Sequence, residues 1–253
     1  MRRLGVYSVV LCLLLLALPV ATQEEEGNIV QVIGQSVKPG MEAQYEEGRK
    51  AHMAWHKAQN DTWGWLVWQV ISGEGSGQYV VGTFGHKWSD FDTPSVSEEG
   101  DSADFEKNIA PYVNAPQTRY YAFLPKVSRP WEGTPKMNEV IFFHVEYGEG
   151  QTFNYLIKKF HDGIGKTNWP VHYSWYVLVN GGASGTYVLV LPRESWAAFK
   201  GPDKPFDAML EEAYGRQEAE ALIHKLGKVV KYTENSIIQN RPDLSYIPEK
   251  GGM

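Results

Sequence analysis

The chain has 253 residues, of which 43% are apolar, and a formal net charge of −6. This composition supplies enough apolar surface for one large domain or two small ones. The acidic balance argues against a nucleic-acid partner, because phosphate binding needs a basic patch. Cys12 is the only cysteine and falls in an N-terminal apolar run, so the rest of the chain has no thiol for a disulfide, a nucleophile or a metal ligand.

The N-terminus has the three parts of a secretory signal peptide. Arg2 and Arg3 precede an apolar run at residues 4–20, and Ala21 then leads into an acidic stretch. We predict a signal peptide over residues 1–21 and an exported protein, periplasmic or extracellular, with no membrane attachment after cleavage. Removal of this segment, which holds two arginines and no acid, brings the net charge to −8.

Hydrophobic periodicity predicts the order β-α-β-β-α-β twice. Apolar residues at helical spacing alternate with runs rich in aromatic and β-branched residues, which are typical of strands, and glycine-rich turns join two of the runs in each half. The first six elements are expected at residues 29–33, 41–58, 63–71, 79–84, 103–109 and 119–124. The second six are expected at residues 139–147, 152–164, 171–179, 186–191, 205–226 and 229–238.

The two halves also match residue by residue. The segment Ser76-Gly77-Gln78-Tyr79-Val80-Val81 corresponds to residues 184–189, and Trp88 and Phe91 correspond to Trp196 and Phe199, all at a displacement of 108. We predict an internal duplication. The expected divisions are a signal peptide at 1–21, a first ferredoxin-like repeat at 22–126, a linker at 127–137, a second repeat at 138–240 and an extended C-terminal tail at 241–253.

Both faces of the hairpin strands are apolar, at residues 63–71 and again at 171–179. A sheet that has helices on one face and water on the other would alternate instead. We therefore predict an α+β fold in which two tandem ferredoxin-like repeats pack their antiparallel sheets face to face, as a pseudo-dimeric α/β barrel.

The helix-opening Pro39-Gly40, the aromatic-rich strand pairs and the two Trp-to-Phe segments resemble the dimeric α/β-barrel superfamily. Its members include antibiotic-biosynthesis monooxygenases, NIPSNAP-like proteins and haem-binding chlorite dismutases. The resemblance implies a ligand cleft between a sheet and its helices. It carries no catalytic signature, so any function taken from it is an analogy.

Candidate ligand-binding side chains are aromatic residues and histidines on the predicted inward faces: Tyr45, His52, Trp55, His56, Trp65, Trp68, His161, Tyr173 and Trp175. Histidines at i and i+4 face the same way and could share a metal ion, but no third ligand accompanies His52 and His56. We therefore expect no metal and no cofactor. The resemblance implies haem binding through His161 as an alternative, although no arginine lies in residues 171–179, where haem-binding relatives have one.

Three classes of function remain. The first is an exported barrel protein of unassigned activity that binds a small apolar or aromatic molecule, as a monomer or a homo-oligomer. The second is an oxidoreductase, either a cofactor-independent monooxygenase or a haem enzyme. The third is an interaction protein that docks through the acidic segment at residues 90–104 and the C-terminal tail.

Overall fold

The computed structural model describes residues 27–249, so the predicted signal peptide lies outside the described residues. The strands are β1 (Ile29–Gln35), β2 (Leu66–Ser72), β3 (Tyr79–His86), β4 (Gln117–Phe123), β5 (Met137–Val145), β6 (Ser174–Asn180), β7 (Thr186–Arg193) and β8 (Val230–Asn240). The helices are α1 (Glu42–Ala58), α2 (Glu98–Asn108), α3 (Gly150–Thr167), α4 (Phe206–Tyr214) and α5 (Arg216–Val229). No helix within residues 27–249 combines the length and the apolar character needed to cross a bilayer.

The eight strands form one closed barrel. Their order is β1-β3-β2-β8-β5-β7-β6-β4, and β4 pairs with β1 to close it. Strands β1 to β4 form one four-stranded sheet and β5 to β8 the other, and the two are joined by the antiparallel pairs β2–β8 and β4–β6. The predicted α+β class and pseudo-dimeric α/β barrel are confirmed, with hydrogen bonds at both seams between the sheets.

Neighbouring residues of β2 show why both faces of this strand are apolar. Val67 is fully buried and packs with Tyr45 of α1 in the core between sheet and helices. Trp68 is also buried, and its ring meets that of Phe84 at a centroid distance of 6.0 Å on the opposite face of the strand. The face that holds Val67 packs against helices, and the face that holds Trp68 lines the interior of the barrel.

Two of the predicted helical segments differ most from their expected bounds. The segment predicted as one helix at 205–226 is two, α4 and α5, which are separated by Gly215 at φ +79°. Helix α2 begins at Glu98 instead of 103, because Ser97 caps it by accepting a hydrogen bond from the Gly100 N–H. Since α2 buries none of its residues, its sequence lacks the apolar stripe that would have marked its start.

The segment after β8 packs on the first half of the chain. Leu244 is fully buried in the same core as Val67. The Trp65 N–H donates to the Tyr246 carbonyl at 2.8 Å, and the Tyr246 N–H donates to the Trp65 carbonyl at the same distance. These contacts bring Tyr246 to the C-terminal end of α1.

Candidate functional site

A buried polar cluster lies between α1, α2 and the turn that follows α1. His52 and His56 are one helical turn apart on α1 and are 4% and 1% exposed. Asp61 follows the helix and is 2% exposed. Buried ionisable groups are rare unless they are paired, so the hydrogen bonds of this cluster decide its chemistry.

The end of α1 places Asp61 beneath His56. Asn60 adopts the left-handed conformation, with φ at 55°, which asparagine tolerates better than most residues. The chain then turns back, and the Asp61 N–H donates to the His56 carbonyl at 3.1 Å. The side chain of Asp61 is thereby held against the imidazole of His56.

Each histidine contacts a carboxylate through Nδ1. His56 Nδ1 lies 2.7 Å from Asp61 Oδ2, and His52 Nδ1 lies 2.8 Å from Asp104 Oδ1 of α2. An ionised carboxylate can only accept, so each Nδ1 carries a proton, and in the neutral ring Nε2 then presents a lone pair. This carboxylate–histidine arrangement is the one that orients histidine ligands in metal sites.

Asp61 is held by further donors. Trp65 Nε1 and the Trp63 N–H each donate to it at 2.9 Å, and Ser95 Oγ donates to its Oδ1. Burial opposes ionisation of Asp61, but the hydrogen bonds from His56, Ser95, Trp63 and Trp65 together lower its pKa to about 2. Asp61 is therefore an ionised acceptor that fixes the orientation of His56.

The two Nε2 atoms and Asp101 converge on one point. The Nε2 atoms are 3.3 Å apart, and each lies 3.4 Å from Asp101 Oδ1. Among residues 27–249, no group makes a hydrogen bond to this buried oxygen. Burial and then the charge of Arg49 lower the pKa of His52 to about 4, whereas burial raises the pKa of Asp101. His52 is thus neutral at neutral pH and available as a ligand.

Aromatic rings surround the two imidazoles. Trp55 stacks on His52, with an interplanar angle of 8° and a centroid distance of 6.2 Å. Phe105 of α2 forms a T-shaped pair with His52 at a centroid distance of 6.1 Å, and Trp65 forms a tilted pair with His56 at 5.4 Å. These walls keep much of the surrounding water away and strengthen the electrostatic interactions inside.

The structure brings together four of the predicted site residues: His52, Trp55, His56 and Trp65. Tyr45 lies apart from them, since its hydroxyl donates to Gln35 Oε1 at 2.6 Å in the neighbouring core. Trp68 lies on the barrel-interior face of β2. The remaining three, His161, Tyr173 and Trp175, belong to the second half, where His161 Nδ1 contacts the Tyr173 hydroxyl at 2.9 Å. A haem-binding role for His161 stays a prediction.

Sequence reasoning missed the carboxylates. Asp101 and Asp104 lie in the segment interpreted as a docking loop, and Asp61 lies in the turn after α1. The spacing of Asp101 and Asp104, three residues apart after the capping Ser97, would have placed both on one face of a helix. Only the packing of α2 on α1 shows that this face meets the histidines.

The barrel and this cluster define a class: a dimeric α/β-barrel fold, with both sheets in one chain, that carries a histidine–carboxylate centre in its first half. No protein-family model matches the sequence, and no curated protein matches it.

Similarity to solved structures is clear but distant. A "putative monooxygenase" from Fusobacterium nucleatum subsp. nucleatum has a TM-score of 0.58 at 12% identity, covering 89% of this chain and 95% of that one. Another from Lactobacillus acidophilus has a TM-score of 0.56 at 8% identity, covering 89% and 98%. A mutant chlorite dismutase from Candidatus Nitrospira defluvii has a TM-score of 0.54 at 9% identity, covering 87% and 93%. These likenesses show the fold alone.

Proposed function

We propose that this protein binds one divalent metal ion, with Zn²⁺ as the best fit, through His52 Nε2, His56 Nε2 and a carboxylate oxygen of Asp101. The observation that carries the proposal is the convergence of three buried acceptor atoms at 3.3–3.4 Å from one another. The proton of each imidazole is on Nδ1, so no donor lies among these three atoms unless a ring becomes cationic. A metal ion supplies the missing positive charge.

The spacing of the three atoms favours tetrahedral coordination. Zinc bonds of about 2.0–2.1 Å to nitrogen or oxygen place tetrahedral ligand atoms about 3.3 Å apart. Octahedral coordination at the same bond lengths would require a shorter separation of about 2.9 Å. The distances in this cluster agree with the first geometry.

The charges of the cluster also favour a divalent cation. Asp61, Asp101 and Asp104 are three carboxylates, and Arg49 is the cation whose charge acts on Asp101 and His52. With neutral imidazoles, these groups leave two negative charges in a poorly solvated region, where unbalanced charge is costly. A divalent ion balances them.

Three protein ligands leave a fourth coordination position open. Closed structural zinc sites have four protein ligands, whereas sites with three keep a position for water or substrate. The side chain of Asp101 is 36% exposed, so the cluster reaches solvent on the α2 side. The proposed site therefore has the form of a catalytic centre.

Metal titration tests the proposal. Untagged protein is stripped with EDTA, dialysed and titrated with Zn²⁺ against a chromophoric competing chelator. We expect one Zn²⁺ per chain for the wild type and no measurable site in His56→Ala or Asp101→Ala. We expect a loss of about 10–100-fold in affinity for Asp104→Asn, because Asp104 only orients His52.

Matched controls come from exposed residues elsewhere in the chain. His224→Ala on α5 and Asp203→Ala, whose side chain is 94% exposed, should bind Zn²⁺ as the wild type does. Circular dichroism of each stripped variant checks that it folds. Substoichiometric binding by the wild type, or full affinity in Asp101→Ala, would contradict the proposal.

An oxidoreductase is the second candidate function. Two histidines and one carboxylate form the ligand set of non-haem Fe(II) oxygenases, and proteins described as monooxygenases share this fold. Anaerobic loading with Fe(II), followed by an oxygen-electrode measurement with candidate aromatic substrates, tests it. Oxygen uptake that is the same in Asp101→Ala would exclude this centre as its source.

Export of the protein and binding of a small aromatic molecule beside the metal are parts of the same proposal. The basic and apolar N-terminus supports export, and the rings around His52 and His56 support an aromatic ligand. Mass spectrometry of the mature N-terminus, after expression of the full chain, tests cleavage near Ala21. A retained N-terminal methionine would contradict export by this route.

A further inference from the structure

Arg49 is a buried cation on the same face of α1 as the two histidines. It precedes His52 by three residues and His56 by seven, which is the spacing of one helical face. The residue is 3% exposed. Burial lowers the pKa of its guanidinium, while Tyr45 and Asp101 oppose that shift. Arg49 therefore lies one helical turn before His52, whose Nε2 is 3.4 Å from Asp101 Oδ1.

One edge of this guanidinium has no partner. Nε and Nη2 are both buried, and neither makes a hydrogen bond to any group of residues 27–249. These two nitrogens form the side of the guanidinium that donates two parallel hydrogen bonds to a planar oxyanion. Leaving both donors unpaired in a buried place is costly, so an acceptor is expected there.

Asp101 does not fill this edge. Its buried Oδ1 lacks a hydrogen bond and faces the two Nε2 atoms instead. The charge of Arg49 thus acts on Asp101. However, Nε and Nη2 of Arg49 and Oδ1 of Asp101 all lack a hydrogen-bond partner within residues 27–249. A metal ion would satisfy the oxygen of Asp101, and a small anion would satisfy Arg49.

We propose that the metal centre takes a carboxylate ligand, whose oxygens occupy the open coordination position and accept hydrogen bonds from Nε and Nη2 of Arg49. This inference rests on the proposed metal site and extends it to a substrate class: small molecules that bear a carboxylate. The aromatic walls of the cluster favour an aromatic carboxylate over an aliphatic one.

Cobalt substitution provides the test, because Co²⁺ accepts the same ligands and absorbs visible light. Co²⁺-loaded wild-type protein is titrated with sodium acetate and with sodium benzoate at constant ionic strength. We expect a saturable change in the visible spectrum, with benzoate binding more tightly than acetate. In Arg49→Met, the affinity for either anion should fall by roughly tenfold or more, since two charge-assisted hydrogen bonds are lost. Sodium phosphate, a tetrahedral anion, should bind more weakly than either.

Two further variants separate the explanations. Arg49→Lys keeps the charge but not the paired donors, and we expect it to bind acetate more weakly than the wild type and more tightly than Arg49→Met. Arg216→Met removes an exposed arginine, 77% accessible, and should change nothing. Thermal unfolding of each Co²⁺-loaded variant checks its folding.

The outcomes are distinguishable. If Co²⁺ binds to the wild type and neither anion changes its spectrum, the carboxylate site is wrong and the metal site stands. Equal anion affinity in Arg49→Met and the wild type also overturns the role of Arg49. Failure of Co²⁺ and Zn²⁺ to bind overturns both proposals.

Discussion

Helices α1 and α3 each follow the first strand of their half, and they begin 108 residues apart, at Glu42 and Gly150. At that displacement, three buried polar residues of α1 correspond to three buried apolar residues of α3: Arg49 to Ile157, His52 to Phe160, and His56 to Ile164. The second half packs these positions as an ordinary core with Phe153 and Leu156. The barrel can therefore be built with apolar residues at these positions.

The comparison shows that the fold does not require the polar cluster. Burying histidine, arginine and carboxylate groups costs free energy that an apolar core would not. The first half buries such groups at several positions. The hydrogen bonds from His56 Nδ1 to Asp61 and from His52 Nδ1 to Asp104 reduce the free-energy cost but do not abolish it. We infer that the cluster serves binding, and the following predictions compare the two halves.

The largest effect is expected from Asp61→Ala. This change leaves His56 Nδ1, Trp65 Nε1 and the Trp63 N–H without their acceptor in a buried place. We expect a loss of about 3–5 kcal/mol in the free energy of unfolding, measured by urea denaturation of the metal-free protein. Asp162→Ala in α3, which removes only an exposed ion pair with Lys158, should cost about 0.5 kcal/mol or less. Equal losses of stability in the two variants would show that the buried hydrogen bonds of Asp61 contribute no more than an exposed ion pair.

Metal removal should affect the first half selectively. Helix α2 buries none of its residues, and Asp101 and Asp104 tie it to α1. At a free Zn²⁺ concentration one hundred times the Kd, binding adds about 2.7 kcal/mol to stability. We expect EDTA to speed amide hydrogen exchange in α2 and to leave exchange in α3 unchanged. Uniform acceleration in both helices would contradict a local role for the metal.

Sequence patterns predicted the fold better than the site. The apolar faces of residues 63–71 were enough to predict that both sides of β2 are covered, because side chains alternate along a strand. His52 and His56 were identified by their spacing on α1. Asp101 was not, because the pairing of two helices that are distant in sequence depends on tertiary packing, which local periodicity does not encode.

Gly48→Ala should separate α2 from α1. A Cβ atom at position 48 would lie 1.8 Å from the Asn108 carbonyl oxygen at the end of α2, whereas the corresponding position in α3 holds the fully buried Leu156. We expect a loss of about 2 kcal/mol in stability and weaker Zn²⁺ binding, because α2 carries Asp101. Gly165→Ala in α3 is the control, since, apart from its chain neighbours and its own helix backbone, no atom of residues 27–249 lies within 4 Å of the added Cβ. It should be neutral or stabilising by about 0.5–1 kcal/mol. Unchanged Zn²⁺ affinity in Gly48→Ala would mean that the position of α2 does not matter to the site.

The smallest effect is expected at the histidine of the second half. His161 Nδ1 lies 2.9 Å from the hydroxyl of Tyr173, whose pKa is raised to about 12 by burial, so this tyrosine stays protonated at neutral pH. His161→Ala should cost about 1 kcal/mol, and the double variant with Tyr173→Phe little more, because a hydrogen bond removed at both ends leaves no buried group unpaired. Zn²⁺ affinity should be unchanged, since the residues of 27–249 that could together hold a metal ion are His52, His56 and Asp101, without His161. Competition titration and urea denaturation of the single and double variants measure the Zn²⁺ affinity and the free energy of unfolding.

If His161→Ala weakened Zn²⁺ binding as much as His56→Ala does, the division of roles between the halves would be wrong. If only the wild type took up haem with a Soret band, the second half would hold a site of its own.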